Sequence, residues 1–206
     1  AICMSVVAVN CYVLISGYFM VDKNFKLSRF TATYYQVWFY SVATFIVMLA
    51  LHKISFSFGS LLISVTPFIH NSYWFVTSYL LLILFSPLLN SAINNMSRQK
   101  FKMVLFVLGG MYCVFNNAVK LINPIDTSGG YSVIWFMILY LSAAYVRLYY
   151  KPSYKPAKYF FVYFATVALN LTFHTIFAGL GEVWGNGMVR DYNNILVYVG
   201  ALFLFM

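Results

Sequence analysis

Long apolar stretches alternate with short polar connections along the whole chain. Seven stretches stand out, at about 1–21, 34–52, 73–90, 103–120, 132–149, 158–180 and 193–206. A helix needs roughly 20 mostly apolar residues to cross a hydrocarbon core of ~30 Å. The apolar runs are continuous, whereas barrel strands would alternate at period two over about ten residues. The pattern therefore predicts an all-α, polytopic transmembrane helix bundle with about seven spans, and residues 1–206 are read as a single transmembrane domain. The stretch at about 53–72, with Pro67, His70 and Asn71, is apolar enough in part to lie in the interface or re-enter.

The polar connections are not alike. One set holds Lys23, Lys26 and Arg29, then Arg98, Lys100 and Lys102, then Arg147, Lys151, Lys155 and Lys158. Connections of the other parity carry only Lys53, Lys120 and Arg190 of the 13 Lys and Arg residues. Short loops rich in Lys and Arg stay on the cytoplasmic side. Loops 22–33, 91–102 and 147–158 are therefore expected in the cytoplasm, which makes this a multi-pass protein of the cell membrane. Three of the four acids, Asp126, Glu182 and Asp191, fall on the other side.

Composition sharpens the same picture. Hydrophobic residues make up 63% of the chain and charged ones 8%, too few for a water-facing surface when soluble domains carry about 25%. Mean hydropathy is +0.81. The formal charge of +9 thus reports topology; no folded basic face for nucleic acid is expected. Cys3, Cys11 and Cys113 all fall within apolar stretches, where packing accounts for them without a metal or a disulfide. The chain opens with Ala1 inside one apolar segment and stops at Met206 inside another, as expected of a piece truncated at both ends. Its Phe, Tyr, Asn and Lys usage suits a bacterial source.

Few residues offer chemistry. No phosphate-cradling GxxxxGK[ST], HExxH or zinc-spaced Cys pair is present, and no metal is expected. No Asp or Glu lies deep in a span, which weighs against a proton-coupled carrier. His174 is the one ionisable group well inside a span, and Asn170, four residues earlier, shares its helical face. The pair is either an intramembrane polar site or a neutral imidazole hydrogen-bonded to Asn170 or to a neighbouring helix. Lys23, Lys26 and Arg29 abut Ser16-Gly17-Tyr18. They serve either topology and anionic lipid or as a clamp for a phosphorylated donor. Tyr and Trp at the segment ends, including Tyr34, Tyr73, Trp74, Tyr131 and Tyr192, fit an aromatic belt at the headgroup level.

Four ordered motifs add a resemblance. Asn10-Cys11-Tyr12-Val13-Leu14-Ile15-Ser16-Gly17-Tyr18-Phe19 and the basic spacing after it resemble the second helix of the acyltransferase family 3 membrane proteins. Tyr73-Trp74-Phe75 with Ser86-Pro87-Leu88-Leu89-Asn90 is similar to that family's Trp-Phe helix ending in Ser-Pro-hydrophobic-Asn. Ile134-Trp135-Phe136 through Tyr140-Leu141 and Ala144-Tyr145-Val146-Arg147 resembles a third segment; Tyr192-Asn193-Asn194 with Leu202-Phe203 resembles the opening of a later helix.

The resemblance implies a membrane-bound O-acyltransferase of about ten spans in its complete form. It would pass an acyl group, by default acetyl, from cytoplasmic acyl-CoA to a hydroxyl of a cell-surface or exported glycan. Acetyl-CoA is then a co-substrate, with no bound cofactor, and the partners are acyl-CoA, the glycan and the bilayer. Lys23, Lys26, Arg29 and Ser16 become donor-binding candidates; Tyr73 and Trp74 become acceptor-binding candidates. The family's catalytic histidine follows an Arg or Lys in its first helix. No such pair precedes Ser16, so that histidine is expected upstream of Ala1 and the fragment alone is expected to be inactive. The alternative is a transporter or polymerase component for lipid-linked saccharides, with a polar cavity lined by Asn116, Asn117, Asn170 and His174.

Overall fold

The computed structural model describes residues 2–21, 23, 25–68, 73–115, 128–151, 155–177 and 191–206. All regular structure among them is helical. In chain order the helices are α1 (Ile2–Ser5), α2 (Val7–Met20), α3 (Leu27–Ala50), α4 (Phe58–Val65), α5 (Trp74–Asn94) and α6 (Arg98–Gly109), then α7 (Val133–Tyr149), α8 (Pro156–Phe177) and α9 (Ile195–Phe205). A π-turn, Gly110–Phe115, extends α6, and a short 3₁₀ turn, Ser128–Gly130, precedes α7.

Each expected apolar stretch contains a helix, but the basic loops are shorter than expected. α3 begins at Leu27, so Arg29 lies in its first turn; α6 begins at Arg98; Arg147 lies in the last turn of α7. Backbone groups need partners wherever the chain leaves bulk water, so a helix runs on past its apolar stretch into polar residues. Among the described residues two helices, Trp74–Asn94 and Pro156–Ile176, are long and apolar enough to cross a membrane. α2 and α9, with 14 and 11 residues, reach only about 21 and 17 Å at 1.5 Å per residue.

The chain divides into two compact units, one of residues 1–23 and 88–206 and the other of residues 24–87. In the larger unit the contacts fix helix direction. Asn10 meets Trp135, and Gly17 faces Tyr140 and Ala143, so α2 and α7 are parallel neighbours. Cys11 Sγ reaches the Ala201 carbonyl and Tyr18 meets Phe205, so α9 runs the same way. Tyr163 and Thr166 flank Gly200 while Tyr159 meets Phe203, which makes α8 antiparallel to α9. Phe101 meets Tyr145 and Tyr149, which makes α6 antiparallel to α7. The ends of α2, α7 and α9 thus share one end of the bundle with the starts of α6 and α8. Small residues let these backbones close up: a Cβ on Gly17 would stand 3.1 Å from Tyr140 Cα. Trp135, Phe136, Tyr140, Leu14 and Val13 form the buried centre.

In the smaller unit α3 buries only Ser41 and Phe45 and turns Tyr35, Phe39, Tyr40, Ile46 and Val47 outward. Trp38 Nε1 donates to the Val65 carbonyl at 3.1 Å, and Tyr34 stacks on Phe68, which tie α3 to the segment following α4. Pro87 stands inside α5. Proline cannot donate to the carbonyl four residues back, which here is Ile83. Ser86 Oγ donates to that carbonyl at 2.7 Å instead. The Ser-Pro pair is therefore a self-repaired interruption of the helix.

Candidate functional site

At the end of the larger unit where α2, α7 and α9 begin, the motif residues interlock. Asn10 is fully buried. Its Nδ2 donates to the Tyr192 carbonyl at 2.8 Å, and its Oδ1 accepts from Trp135 Nε1 at 3.1 Å. The Trp135 ring meets Tyr198 edge-on, and the Tyr198 hydroxyl lies 2.7 Å from Ser142 Oγ. Asn193 Nδ2 donates to the Tyr112 carbonyl of the π-turn at 3.0 Å, and Asn194 Oδ1 caps α9 by accepting from Leu196 N. Tyr192 N donates to the Gly129 carbonyl, and the Tyr131 and Tyr192 rings touch. Burial, reinforced by Tyr131, pushes the Tyr192 hydroxyl up to about 12, so it stays protonated. Gly130 has φ +85°, and a Cβ there would meet Asn193 N at 2.8 Å. Only glycine tolerates both constraints.

The opposite end is cationic. Arg147 Cζ sits over the Tyr18 ring, 4.7 Å from its centroid, and Arg98 over Tyr149 at 5.5 Å. Arg147 also complements the negative end of the α7 dipole. The Tyr150 and Tyr159 hydroxyls are 2.7 Å apart. Tyr140 OH donates to Asn90 Oδ1 at 2.6 Å, and Asn90 Nδ2 reaches the Met20 carbonyl at 3.4 Å. Two cavities open here. One of about 230 Å³ is lined by Ile15, Tyr18, Phe19, Val146, Tyr150 and the end of α9; another of about 320 Å³ lies between the start of α8 and the end of α9.

The donor candidates are divided between the units. Ser16 is half-buried on α2, and Lys23 is exposed just past that helix, roughly two helical turns away. Lys26 is exposed and Arg29 half-buried at the start of α3, in the other unit. Of the acceptor candidates, Tyr73 is exposed, while Trp74 is half-buried with its ring edge-on to Phe75. Asn170 is buried on the α8 face that carries Tyr163 and Thr166. Its Oδ1 has no hydrogen-bond partner among the described residues. His174 is half-buried. Asn116 and Asn117 lie outside the described residues.

Sequence reasoning missed the Arg147–Tyr18 and Arg98–Tyr149 pairs and the Asn10 knot. The cations were visible at segment ends, and so were the tyrosines, but nothing in their spacing says which helices adjoin.

Comparison with known proteins gives one family. The model of the acyltransferase domain family matches residues 3–206. No curated protein and no solved structure matches the chain.

Proposed function

The chain belongs to the acyltransferase domain family, and from that premise we propose that it serves a membrane-bound O-acyltransferase activity. In this reading an acyl group, acetyl by default, passes from cytoplasmic acyl-CoA to a hydroxyl of a cell-surface or exported glycan. The observation that carries the proposal is the family match over nearly the whole chain. The helix directions support it, because they gather the basic helix ends of the larger unit at one end of the bundle, facing the cytoplasm under the positive-inside rule. All seven apolar segments cross the membrane in this reading, the shorter helices continuing through their flanking turns.

Lys23, Lys26, Arg29 and Ser16 are the donor-binding candidates in this reading, carried by the family resemblance of their sequence motif. Their cations would pair with the phosphates of the CoA moiety through charge-assisted hydrogen bonds. Tyr73 and Trp74, on the opposite membrane face, would offer aromatic surface to the sugar ring. The base that removes the acceptor proton is not proposed among residues 1–206.

Transfer of radiolabelled acetyl from acetyl-CoA to membrane glycan by the full-length protein tests this reading. Replacing Lys23, Lys26 and Arg29 together by Gln should raise the donor KM about a hundredfold, at roughly 1 kcal/mol for each of the three lost phosphate contacts. Membrane insertion should be unchanged. Normal donor kinetics in that variant would remove the clamp from the proposal, and absence of any transfer by the full-length protein would remove the acyltransferase reading itself.

A further inference from the structure

We infer that the 230 Å³ cavity between the ends of α2, α7 and α9 holds one chain of an anionic phospholipid whose phosphate sits on Arg147. The lining comes from Ile15, Phe19 and Val146, the tyrosines Tyr18 and Tyr150, and the end of α9. Pockets for whole drug-sized ligands run at about 300–1,000 Å³. This one is smaller, so it accommodates a length of hydrocarbon rather than a nucleotide-bearing cofactor.

Charge at the mouth selects the headgroup. Arg147 is half-buried, with its guanidinium carbon 4.7 Å from the centre of the Tyr18 ring, which itself lines the cavity. A guanidinium fixed in this way has lost little further freedom when it grips a phosphate, and its planar fork suits that oxygen geometry. The Tyr150 and Tyr159 hydroxyls stand together at the same end. Lys23, Lys151 and Lys155 lie in the adjoining connections and Lys158 in the first turn of α8, and Asp22 is the one acid in those stretches of sequence. The only acid among the described residues, Asp191, is at the opposite end. An apolar slot with an aromatic collar and a cationic rim matches an amphiphile with a negative head, and a zwitterionic lipid would gain less from it.

The inference rests on the basic end lying at the cytoplasmic leaflet and needs no acyl transfer. The full chain, purified in non-ionic detergent, is titrated with phosphatidylglycerol or with phosphatidylcholine of the same acyl chains. Native mass spectrometry counts the lipid retained. One phosphatidylglycerol should be retained per chain, about tenfold more tightly than phosphatidylcholine. Arg147→Gln should cost about fivefold, one cation's share near a lipid surface, and Arg147→Lys should recover part of it. Ile15→Trp, which fills the slot, should weaken both lipids. Circular dichroism of each variant checks folding, and Tyr18→Leu replaces any variant that fails. Equal retention of the two lipids, no effect of Arg147→Gln, or displacement of phosphatidylglycerol by millimolar inorganic phosphate would overturn the inference. Because neither donor nor acceptor is present, those outcomes leave the acyltransferase reading untouched.

Discussion

Trp135 Nε1 and Asn10 Oδ1 lie 3.1 Å apart, joined across 125 residues of sequence between two fully buried side chains. Asn10 uses its other end to hold the Tyr192 carbonyl. One carboxamide therefore fastens α2 to α7 and to the turn before α9. Substitution Asn10→Ala strands a buried indole N–H and a backbone carbonyl, at roughly 1–3 kcal/mol for each group. A clear fall in thermal midpoint in detergent is expected. Trp135→Phe removes the donor, and the double-mutant cycle of the two should show a coupling of about 0.5–1.5 kcal/mol, the net worth of one hydrogen bond. Strict additivity would mean that the two side chains do not act together.

Gly130 gives a sharper test because two constraints coincide there. Its φ of +85° and the 2.8 Å approach of Asn193 N both exclude a side chain. Gly130→Ala should cost about 2 kcal/mol or more, between backbone strain and displaced packing. Gly109 has open space around its missing Cβ, so Gly109→Ala should be neutral or slightly stabilising in the same helix-content melt. Equal effects at both positions would contradict the described packing.

Ser86 and Pro87 should be epistatic. With Pro87 present, Ser86→Ala leaves the Ile83 carbonyl without its 2.7 Å donor, a loss of about 1 kcal/mol. With Pro87→Ala the backbone N–H returns to that carbonyl, and the same serine substitution should then cost next to nothing. Chemical denaturation of the four proteins measures the difference.

Trp74→Ala should weaken acceptor use in the full-length protein about tenfold, one aromatic stacking contact, while leaving the donor KM unchanged. If steady-state acceptor kinetics stay normal, Trp74 is a membrane-belt residue and the acceptor lies elsewhere.

Much of this molecule was legible in its sequence because the strongest signals are one-dimensional. Apolar run length placed a helix in each expected stretch, although α3 begins at Leu27 rather than near Tyr34. The motif residues carried the family resemblance, yet their sequence gave no hint of what they do. Trp135, Tyr140, Asn90, Asn193 and Asn194 turn out to join helices or cap them. That role depends on which helices are neighbours, and periodicity within one helix carries no information about its partner. The donor candidates illustrate the same limit: four residues close in sequence are divided between two units.

The parallel pairing of α2 with α7 has a consequence for how the protein is made. Neighbours that run the same way cannot be joined by a tight turn, so the whole intervening chain must be synthesised before they meet. At about 5–20 residues per second, the 125 residues from Asn10 to Trp135 take roughly 6–25 seconds to emerge. Through that interval Asn10 sits in a helix whose buried partners do not yet exist. Destabilising changes around Asn10 should therefore appear first as lost yield, before any change in the finished molecule is measured.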